Sequence, residues 1–213
     1  MLSIDHVVLA VRDLDASSER LLAEHGLPSV AGGRHPRWGT ANRVVPLGDV
    51  YVELLGVVDE EVAAASGFGR SMQRLTANGD RWFTVCLADD NLDRTAERLG
   101  LEVVTGERDR PDGFVLRWRS CGLEDPKRAD WLPFFIEWDV PPEAHPGRAM
   151  SDPVPATGIA WVEMGDDGRL RPWLGDDGRD LPIRIVDGEP GIRAVGLRAP
   201  DRTPDGDEIV LFL

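Results

Sequence analysis

Residues 4–26, IDHVVLAVRDLDASSERLLAEHG, contain a pattern that returns in residues 82–100, WFTVCLADDNLDRTAERLG. In both stretches an apolar strand pattern leads through an acidic turn to Leu-Asp and then to a helical pattern with Glu-Arg-Leu. The copies are offset by 78 residues, and at this offset His6 corresponds to Thr84. The repeat predicts a duplicated structural module, with a histidine in only one copy.

Each copy is followed by three more strand patterns, which are short and separated by Gly and Pro. The sequence therefore predicts two βαβββ modules, at about residues 3–58 and 81–140, with a helical linker between them. The last strand of the first module contains Glu53 in YVELL, and the last strand of the second contains Glu137 in FIEWD. We expect these two glutamates to correspond, at an offset of 84 residues.

The C-terminal part of the chain is also rich in strand patterns. Residues 151–213 contain four β-rich segments and one weak helical stretch, GRLRPWLG. They form either a degraded third module or strands that extend the sheets of the first two. We therefore predict an α+β fold with one domain over residues 1–150 and a β-rich extension over residues 151–213.

Composition predicts a globular protein and argues against a nucleic-acid-binding protein or a membrane protein. Of the 213 residues, 42% are hydrophobic and 29% are charged, as is usual for a soluble globular protein. The net charge of −14 argues against nucleic-acid binding, because such sites need clustered Lys and Arg. No apolar run approaches the roughly 20 residues of a membrane helix. A strand pattern at the N-terminus leaves no room for a signal peptide, and the two cysteines form no disulfide framework, so we expect a cytoplasmic protein.

Several motifs together resemble one known superfamily. They are DHVVLAVRDLD at residues 5–15, GGRHPRWGTAN at residues 32–42 with the following VYVELL, and RPDGFVLRWR with PFFIEWD. These residues are similar to the vicinal oxygen chelate superfamily and, within it, to the glyoxalase-like domain group. The resemblance covers roughly residues 3 to 150 and implies that the paired modules curl into a cup-shaped mixed β-sheet.

The resemblance also implies a metal site on the first and last strands of each module. Carried over to this sequence, its positions are His6, Glu53, Thr84 and Glu137. An imidazole and two carboxylates suit a divalent ion such as Zn, Mn, Fe, Co or Ni. Because a threonine hydroxyl is a poor ligand, the cup holds either a metal with His6, Glu53, Glu137 and solvent as ligands, or no metal at all. Without metal, an imidazole between two glutamates would still give each carboxylate a partner.

The same motifs suggest residues for catalysis and for substrate binding. Glu53 and Glu137 are candidate general bases, since each stands among large apolar residues. The stretch GGRHPRWGTAN has backbone freedom and polar and aromatic side chains, which favours a ligand-binding loop over a turn whose Trp only covers the core. We expect these substrate-binding residues: His35, Trp38, Asn42, Arg117 and Trp118.

Two functions of different class follow from these expectations. The first is an enzyme that acts on a small oxygenated metabolite in the cup by lyase or isomerase chemistry, with or without assistance from a metal. The alternative is a non-catalytic protein that binds and sequesters a small molecule, as bleomycin-resistance proteins do. In both cases the partner is a small-molecule ligand, with a homodimer possible if the modules exchange between two chains.

Overall fold

The first module forms as the repeat predicts. A computed structural model describes residues 1–110, 113–149, 155–199 and 208–212. The elements of the first module are β1, α1, β2, β3 and β4, which span Leu2–Val11, Leu14–His25, Val30–His35, Thr40–Pro46 and Tyr51–Val57. Two short helices follow in the linker, α2 at Glu60–Ala65 and α3 at Gly67–Leu75.

The second module repeats the same order of elements. It consists of β5, α4, β6, β7 and β8, which span Arg81–Asp89, Leu92–Leu99, Val103–Asp109, Val115–Cys121 and Phe134–Trp138. The prediction of two βαβββ modules is therefore confirmed.

The helices that follow the opening strands begin and end in the same way in both modules. The side chain of Asp13 accepts hydrogen bonds from the first turn of α1, and the side chain of Asn91 does so for α4. Gly26 and Gly100 end the two helices in the left-handed conformation, with φ of 68° and 64°. The repeat in sequence is thus a repeat of helix-capping residues as well as of apolar positions.

All eight strands of the two modules form one mixed sheet within a single chain. The strand order is β2-β3-β4-β1-β5-β8-β7-β6. In each module the first strand pairs in parallel with the last, and β1 pairs antiparallel with β5 to join the modules. The sheet curves into the predicted cup until Arg108 of β6, near one edge, donates a hydrogen bond to Asn42 of β3, near the other.

The central ladder between β1 and β5 contains two irregularities at corresponding positions. One leaves Asp5 unpaired and the other leaves Phe83 unpaired, and these residues are also 78 positions apart. An extra residue in one strand of a ladder redirects the side chains beside it. The bulge in β1 therefore allows the carboxylate of Asp5 to reach the imidazole of His6, although neighbours in a regular strand point to opposite faces.

The two faces of the sheet have different partners. One face packs against α1, α4 and a second sheet to form the main core. The largest fully buried side chains on this face include Leu9, Leu54, Leu87 and Phe135. The other face, which lines the cup, packs against α3. It contains these buried residues: Val8, Ala10, Leu55, Phe83, Cys86, Phe134 and Ile136, together with Phe68 and Met72 of α3.

The second sheet confirms the predicted β-rich C-terminal segment. The segment contains β9, α5, β10, β11 and β12, which span Ile159–Gly165, Leu170–Leu174, Ile183–Val186, Gly191–Arg198 and Glu208–Phe212, and its four strands form the sheet. The element order matches that of the modules, but the strand order β10-β9-β11-β12 differs, because β9 pairs in parallel with β10 instead of with the last strand. The domain boundary predicted after residue 150 lies outside the described residues. No helix among the described residues is long and apolar enough to cross a membrane.

One buried guanidinium organises the loop between β7 and β8. Arg128 is 6% exposed and donates hydrogen bonds to the backbone carbonyls of Gly122, Leu123, Asp130 and Leu132. Burial lowers its pKa to about 10, so it stays charged at neutral pH. This loop forms part of the cup wall, and Arg128 therefore supports the shape of the cavity.

We expect Arg128→Lys to lower the free energy of unfolding by about 2 to 4 kcal/mol, because an ammonium cannot reach so many carbonyls and leaves buried acceptors unpaired. Urea denaturation measures the change. Arg94→Lys is the matched control, since the Arg94 side chain is 70% exposed, and it should stay within about 0.5 kcal/mol of the unchanged protein. Equal stabilities of the two variants would contradict the role of Arg128.

Candidate functional site

A well-formed cavity lies within the cup. Its volume is about 380 Å³, which suits a small organic molecule. Polar side chains from β1, β3, β4 and β6 meet at one part of the wall. Six Trp and Phe side chains also line the wall, namely Trp38, Phe68, Phe83, Trp118, Phe134 and Trp138.

A buried carboxylate lies beneath the polar part of the cavity. Asp5 is 3% exposed, and its Oδ1 lies 2.6 Å from Nδ1 of His6. Its Oδ2 accepts a hydrogen bond from Nε1 of Trp138 at 2.8 Å and lies 3.1 Å from Nε2 of His145. Burial raises the pKa of Asp5, but the hydrogen bonds from His145 and His6 outweigh it and hold the pKa well below its usual range. The Asp5 carboxylate is therefore ionised and fully hydrogen-bonded.

The partners of Asp5 determine where protons sit on the two histidines. Nδ1 of His145 accepts a hydrogen bond from the backbone N–H of Gly147 at 3.2 Å, so the proton of this ring is on Nε2, toward Asp5. His6 likewise presents a protonated Nδ1 to Asp5, which directs its Nε2 into the cavity. Asp5 thus fixes the orientation of His6 from behind, as the outer partner of a functional histidine does.

Glu53 faces His6 from the neighbouring strand. Its Oε2 lies 3.8 Å from Nε2 of His6. Its Oε1 accepts a hydrogen bond from Nδ2 of Asn42. Oδ1 of Asn42 in turn accepts a hydrogen bond from Arg108 at 2.7 Å. A row of polar side chains, with a 3.8 Å separation between His6 and Glu53, therefore crosses the cup from Asp5 to Arg108.

Two glycines make room for this row of polar side chains. A Cβ on Gly32 would overlap the Asn42 side chain, and a Cβ on Gly33 would overlap the side chain of Arg108. The backbone N–H of Gly33 also donates to Oδ1 of Asn42 at 2.7 Å. The pair of glycines in GGRHPRWGTAN thus serves close approach of side chains to the backbone.

Two further titratable rings lie beside His6 and Glu53. Tyr51 stacks on His6 with ring centroids 4.3 Å apart, and burial raises its pKa well above the usual value. His35 is hydrogen-bonded to Oγ1 of Thr40 at 3.1 Å, and burial lowers its pKa. A neutral phenol and a neutral imidazole therefore border His6 and Glu53 at pH 7.

The turn between β2 and β3 closes over the cup. Nε1 of Trp38 donates to Glu124 of the second module at 2.9 Å, and Arg37 forms an ion pair with the same carboxylate. The indole of Trp38 also packs on Phe68, with ring centroids 4.7 Å apart. Trp38 thus lines the cavity and joins the two modules across its opening.

Comparison with known proteins identifies the family. A family model described as a glyoxalase-like domain matches residues 4–173, which include both βαβββ modules, β9 and α5. The chain belongs to the glyoxalase-like domain family. This glyoxalase-like protein is therefore a member of the vicinal oxygen chelate superfamily, as the sequence motifs predicted.

A solved structure agrees with the fold over most of the chain. A hypothetical protein from Staphylococcus aureus has a TM-score of 0.67 and 19% identity, over 90% of this chain and 88% of that one. Methylmalonyl-CoA epimerase from Mycobacterium tuberculosis has a TM-score of 0.44 and 20% identity, over 63% and 86% of the two chains. The Streptomyces coelicolor enzyme of the same name, in complex with 2-nitronate-propionyl-CoA, has a TM-score of 0.45 and 21% identity, over 64% and 97%. A comparison with curated protein sequences found no match.

The structure brings most of the predicted site residues of this glyoxalase-like protein to one cavity. The residues that line it are His6, Glu53, His35, Trp38, Asn42 and Trp118. Thr84 does not join them, because its hydroxyl donates to the backbone carbonyl of Leu132 at 2.7 Å. Arg117 is also absent from the lining. Its side chain is 57% exposed and forms an ion pair with Glu107 on the outer face of the sheet.

Glu137 lies on the wrong face of the sheet for the predicted role. It forms an ion pair with Arg119 at 2.8 Å, on the face that packs against α4, while Phe134, Ile136 and Trp138 line the cavity. In the first module Glu53 of β4 pairs with Val8 of β1. At the offset of 78 residues Val8 corresponds to Cys86 of β5, and Cys86 pairs with Phe134 of β8. Phe134 thus corresponds to Glu53, three positions before Glu137. An odd shift along a strand reverses the face of every side chain.

Sequence reasoning missed Asp5, His145 and Arg108. Asp5 precedes His6 directly, and a regular strand would point it away from the cup, so only the bulge brings it to the site. His145 stands in an irregular connection, where no periodicity indicates its direction. Arg108 had a usable signal, because it alternates with Gly106 in β6, and Gly106 lies opposite the cavity-lining Trp118.

The donor atoms do not fit the four-position metal site that the superfamily implies. Of its four positions, only His6 and Glu53 face each other. A different group could hold a metal ion: ligand atoms of Asp5, His6 and Cys86 lie within 4.8 Å of one another. However, the 2.6 Å between Asp5 and His6 is shorter than the roughly 3.3 Å that two ligands of one tetrahedral zinc require. Burial also raises the pKa of the Cys86 thiol, while metal binding needs a thiolate.

We expect Asp5→Asn to lower the free energy of unfolding by about 3 to 5 kcal/mol at pH 5, since an amide presents only one acceptor oxygen to three donors. The pKa of Asp5 is lower in the folded than in the unfolded chain, so its contribution is complete above the unfolded value near 3.9 and is lost as pH falls further. The difference between the two proteins should therefore shrink below pH 4 by up to about 1.4 kcal/mol per pH unit.

Urea denaturation between pH 5 and pH 3 measures this dependence. Asp90→Asn is the control, because the Asp90 side chain is 70% exposed, and its effect should be small and nearly independent of pH. A difference for Asp5→Asn that stays constant down to pH 3 would show that Asp5 is not ionised in the folded protein.

Proposed function

We propose that this protein catalyses proton transfer at a carbon next to a carbonyl group of a small oxygenated metabolite, as a lyase or isomerase does. The observation that carries the proposal is the 3.8 Å separation of Nε2 of His6 and Oε2 of Glu53 on the wall of the cavity. Each group is held on its far side, His6 by Asp5 and Glu53 by Asn42. Such a fixed pair can move one proton without prior reorganisation.

The two groups have separate roles in this proposal. Glu53 takes the proton from the carbon, and the hydrogen bond from Asn42 orients its other oxygen. His6, protonated on both ring nitrogens, donates a hydrogen bond from Nδ1 to Asp5 and another from Nε2 to the oxygen that gains negative charge, and it keeps both protons. Returning the proton from Glu53 to the same or to a neighbouring carbon completes an isomerisation. The aromatic walls limit the access of water to the anionic intermediate.

A divalent ion has no step in this mechanism, because the described residues do not assemble the ligand set. An ion such as Zn, Mn, Fe, Co or Ni would have only His6 and Glu53 as facing ligands, where catalytic zinc sites usually have three protein ligands. The residues that would otherwise complete the set, Thr84 and Glu137, are held elsewhere by Leu132 and Arg119.

Binding without turnover is the second candidate function. The aromatic side chains of the wall favour it, since they supply stacking surfaces for a flat ligand and need no proton transfer. Such a protein would sequester its ligand in the manner of a bleomycin-resistance protein. The two functions differ in whether the bound compound exchanges hydrogen with solvent.

We expect the protein to accelerate exchange of carbon-bound hydrogen for deuterium in pyruvate, 2-oxobutyrate or dihydroxyacetone, observed by proton NMR in D₂O. Glu53→Gln should reduce this rate by about 10²-fold or more, since the amide cannot accept the proton. Glu107→Gln is the control, because Glu107 is 70% exposed on the outer face of the sheet. Ligand binding without any exchange would favour sequestration, and equal rates in both variants would remove Glu53 from the mechanism.

Metal analysis tests the same mechanism independently. We expect protein purified without chelator and without a metal-affinity tag to contain divalent metal well below one equivalent, and dialysis against EDTA to leave the exchange rate unchanged. Elemental analysis by mass spectrometry gives the metal content. One equivalent of bound metal that disappears in His6→Ala would contradict the metal-free mechanism.

A further inference from the structure

We propose that Arg108 binds a carboxylate group of the ligand, so that the cup takes a small monoanionic 2-oxo or 2-hydroxy acid. This inference rests on the proposed function, because it names the substrate class of the same site. The geometry that supports it is the row of Arg108, Asn42 and Glu53, which lie next to one another in this order along the cavity wall.

The guanidinium of Arg108 has unused binding capacity. Its single hydrogen bond to a described residue runs from Nη1 to Oδ1 of Asn42. Its Nε is buried and has no hydrogen-bond partner among the described residues. None of the carboxylates that the structure describes lies within 4.0 Å of Arg108, although buried and half-buried arginines are usually paired. An arginine that lines a cavity in this state is suited to an anionic ligand.

The charges around the cavity limit the ligand to one negative charge at this end. Arg37, the other arginine of the lining, is already paired with Glu124. Four acidic residues also line the cavity, namely Glu53, Glu102, Glu124 and Asp125. At this end of the cavity, a dianion such as a phosphate monoester would meet the guanidinium of Arg108 and several carboxylates. We therefore favour a carboxylate over a phosphate.

Asn42 sets the distance between the anion and the reacting carbon. Its amide donates to Glu53 with Nδ2 and accepts from Arg108 with Oδ1, so a single amide group separates the base from the cation. A carboxylate on Arg108 would place the next carbons of the acid beside Glu53 and Nε2 of His6. An oxygen on the second carbon would then face His6, and the apolar remainder would face the aromatic wall.

The test compares an acid with its neutral and dianionic analogues. The probes are phenylpyruvate, its methyl ester and phenyl phosphate, with binding measured by saturation-transfer NMR titration. We expect the unchanged protein to bind phenylpyruvate about 10- to 100-fold more tightly than the ester, as a charge-assisted hydrogen bond would give. Phenyl phosphate should bind more weakly than phenylpyruvate.

Variants assign this preference to one residue. Arg108→Gln should remove the preference for the acid while leaving the affinity for the ester unchanged, which also shows that the cavity remains intact. Arg108→Lys keeps the charge and should retain part of the preference. Arg117→Gln should behave as the unchanged protein, since Arg117 is 57% exposed and lies outside the cavity lining.

Several results would overturn the inference. These are equal binding of acid and ester by the unchanged protein, no binding of the acid at millimolar concentration, a preference that survives Arg108→Gln, or tighter binding of phenyl phosphate. The experiment distinguishes failure of this inference from failure of the proposed function. If the acid binds through Arg108 but exchanges no hydrogen, the anion site stands and the reaction does not. If Arg108→Gln exchanges hydrogen as fast as the unchanged protein, the reaction stands and the anion site does not.

Discussion

The buried carboxylate of Asp5 is the group on which the site depends. It lies at the junction of the two modules and accepts hydrogen bonds from His6 in β1, Trp138 in β8 and His145 in the following connection. A buried charge without such partners would be strongly destabilising. The three donors are therefore held in place by the same interaction that keeps Asp5 ionised. Through it, the orientation of His6 is coupled to the position of the C-terminal end of the second module.

Duplication has produced a symmetric frame with an asymmetric site. The two opening strands carry bulges at corresponding positions, but the first copy has Asp5 and His6 where the second has Phe83 and Thr84. Phe83 contributes to the wall of the cavity, and Thr84 binds the loop that Arg128 organises. At these two positions, the first copy therefore supplies polar groups, whereas the second supplies wall and support.

The cavity is also a product of contacts between the modules. Arg108 reaches Asn42 from the opposite edge of the sheet, and Trp38 and Arg37 reach Glu124 across the opening. These contacts join residues that are far apart in sequence and bring a cation, an amide and a carboxylate into one row. Because the row depends on the curvature of the sheet, its spacing depends on the packing of the whole cup. Loss of curvature would separate the groups even if every strand remained intact.

The sequence by itself determined the modules, the sheet type and part of the site. Apolar periodicity, helix caps and the repeat are local properties, so His6 and Glu53 could be assigned to opening and closing strands, and His35, Trp38 and Asn42 to a ligand-binding segment. Only the tertiary structure decided which face each strand presents. Glu137 was assigned to the right strand and the wrong face, because a shift of three residues is invisible in a weak repeat yet reverses the side chains. Asp5, His145 and Arg108 depend on a bulge, an irregular connection and the closure of the sheet, which are set by long-range packing.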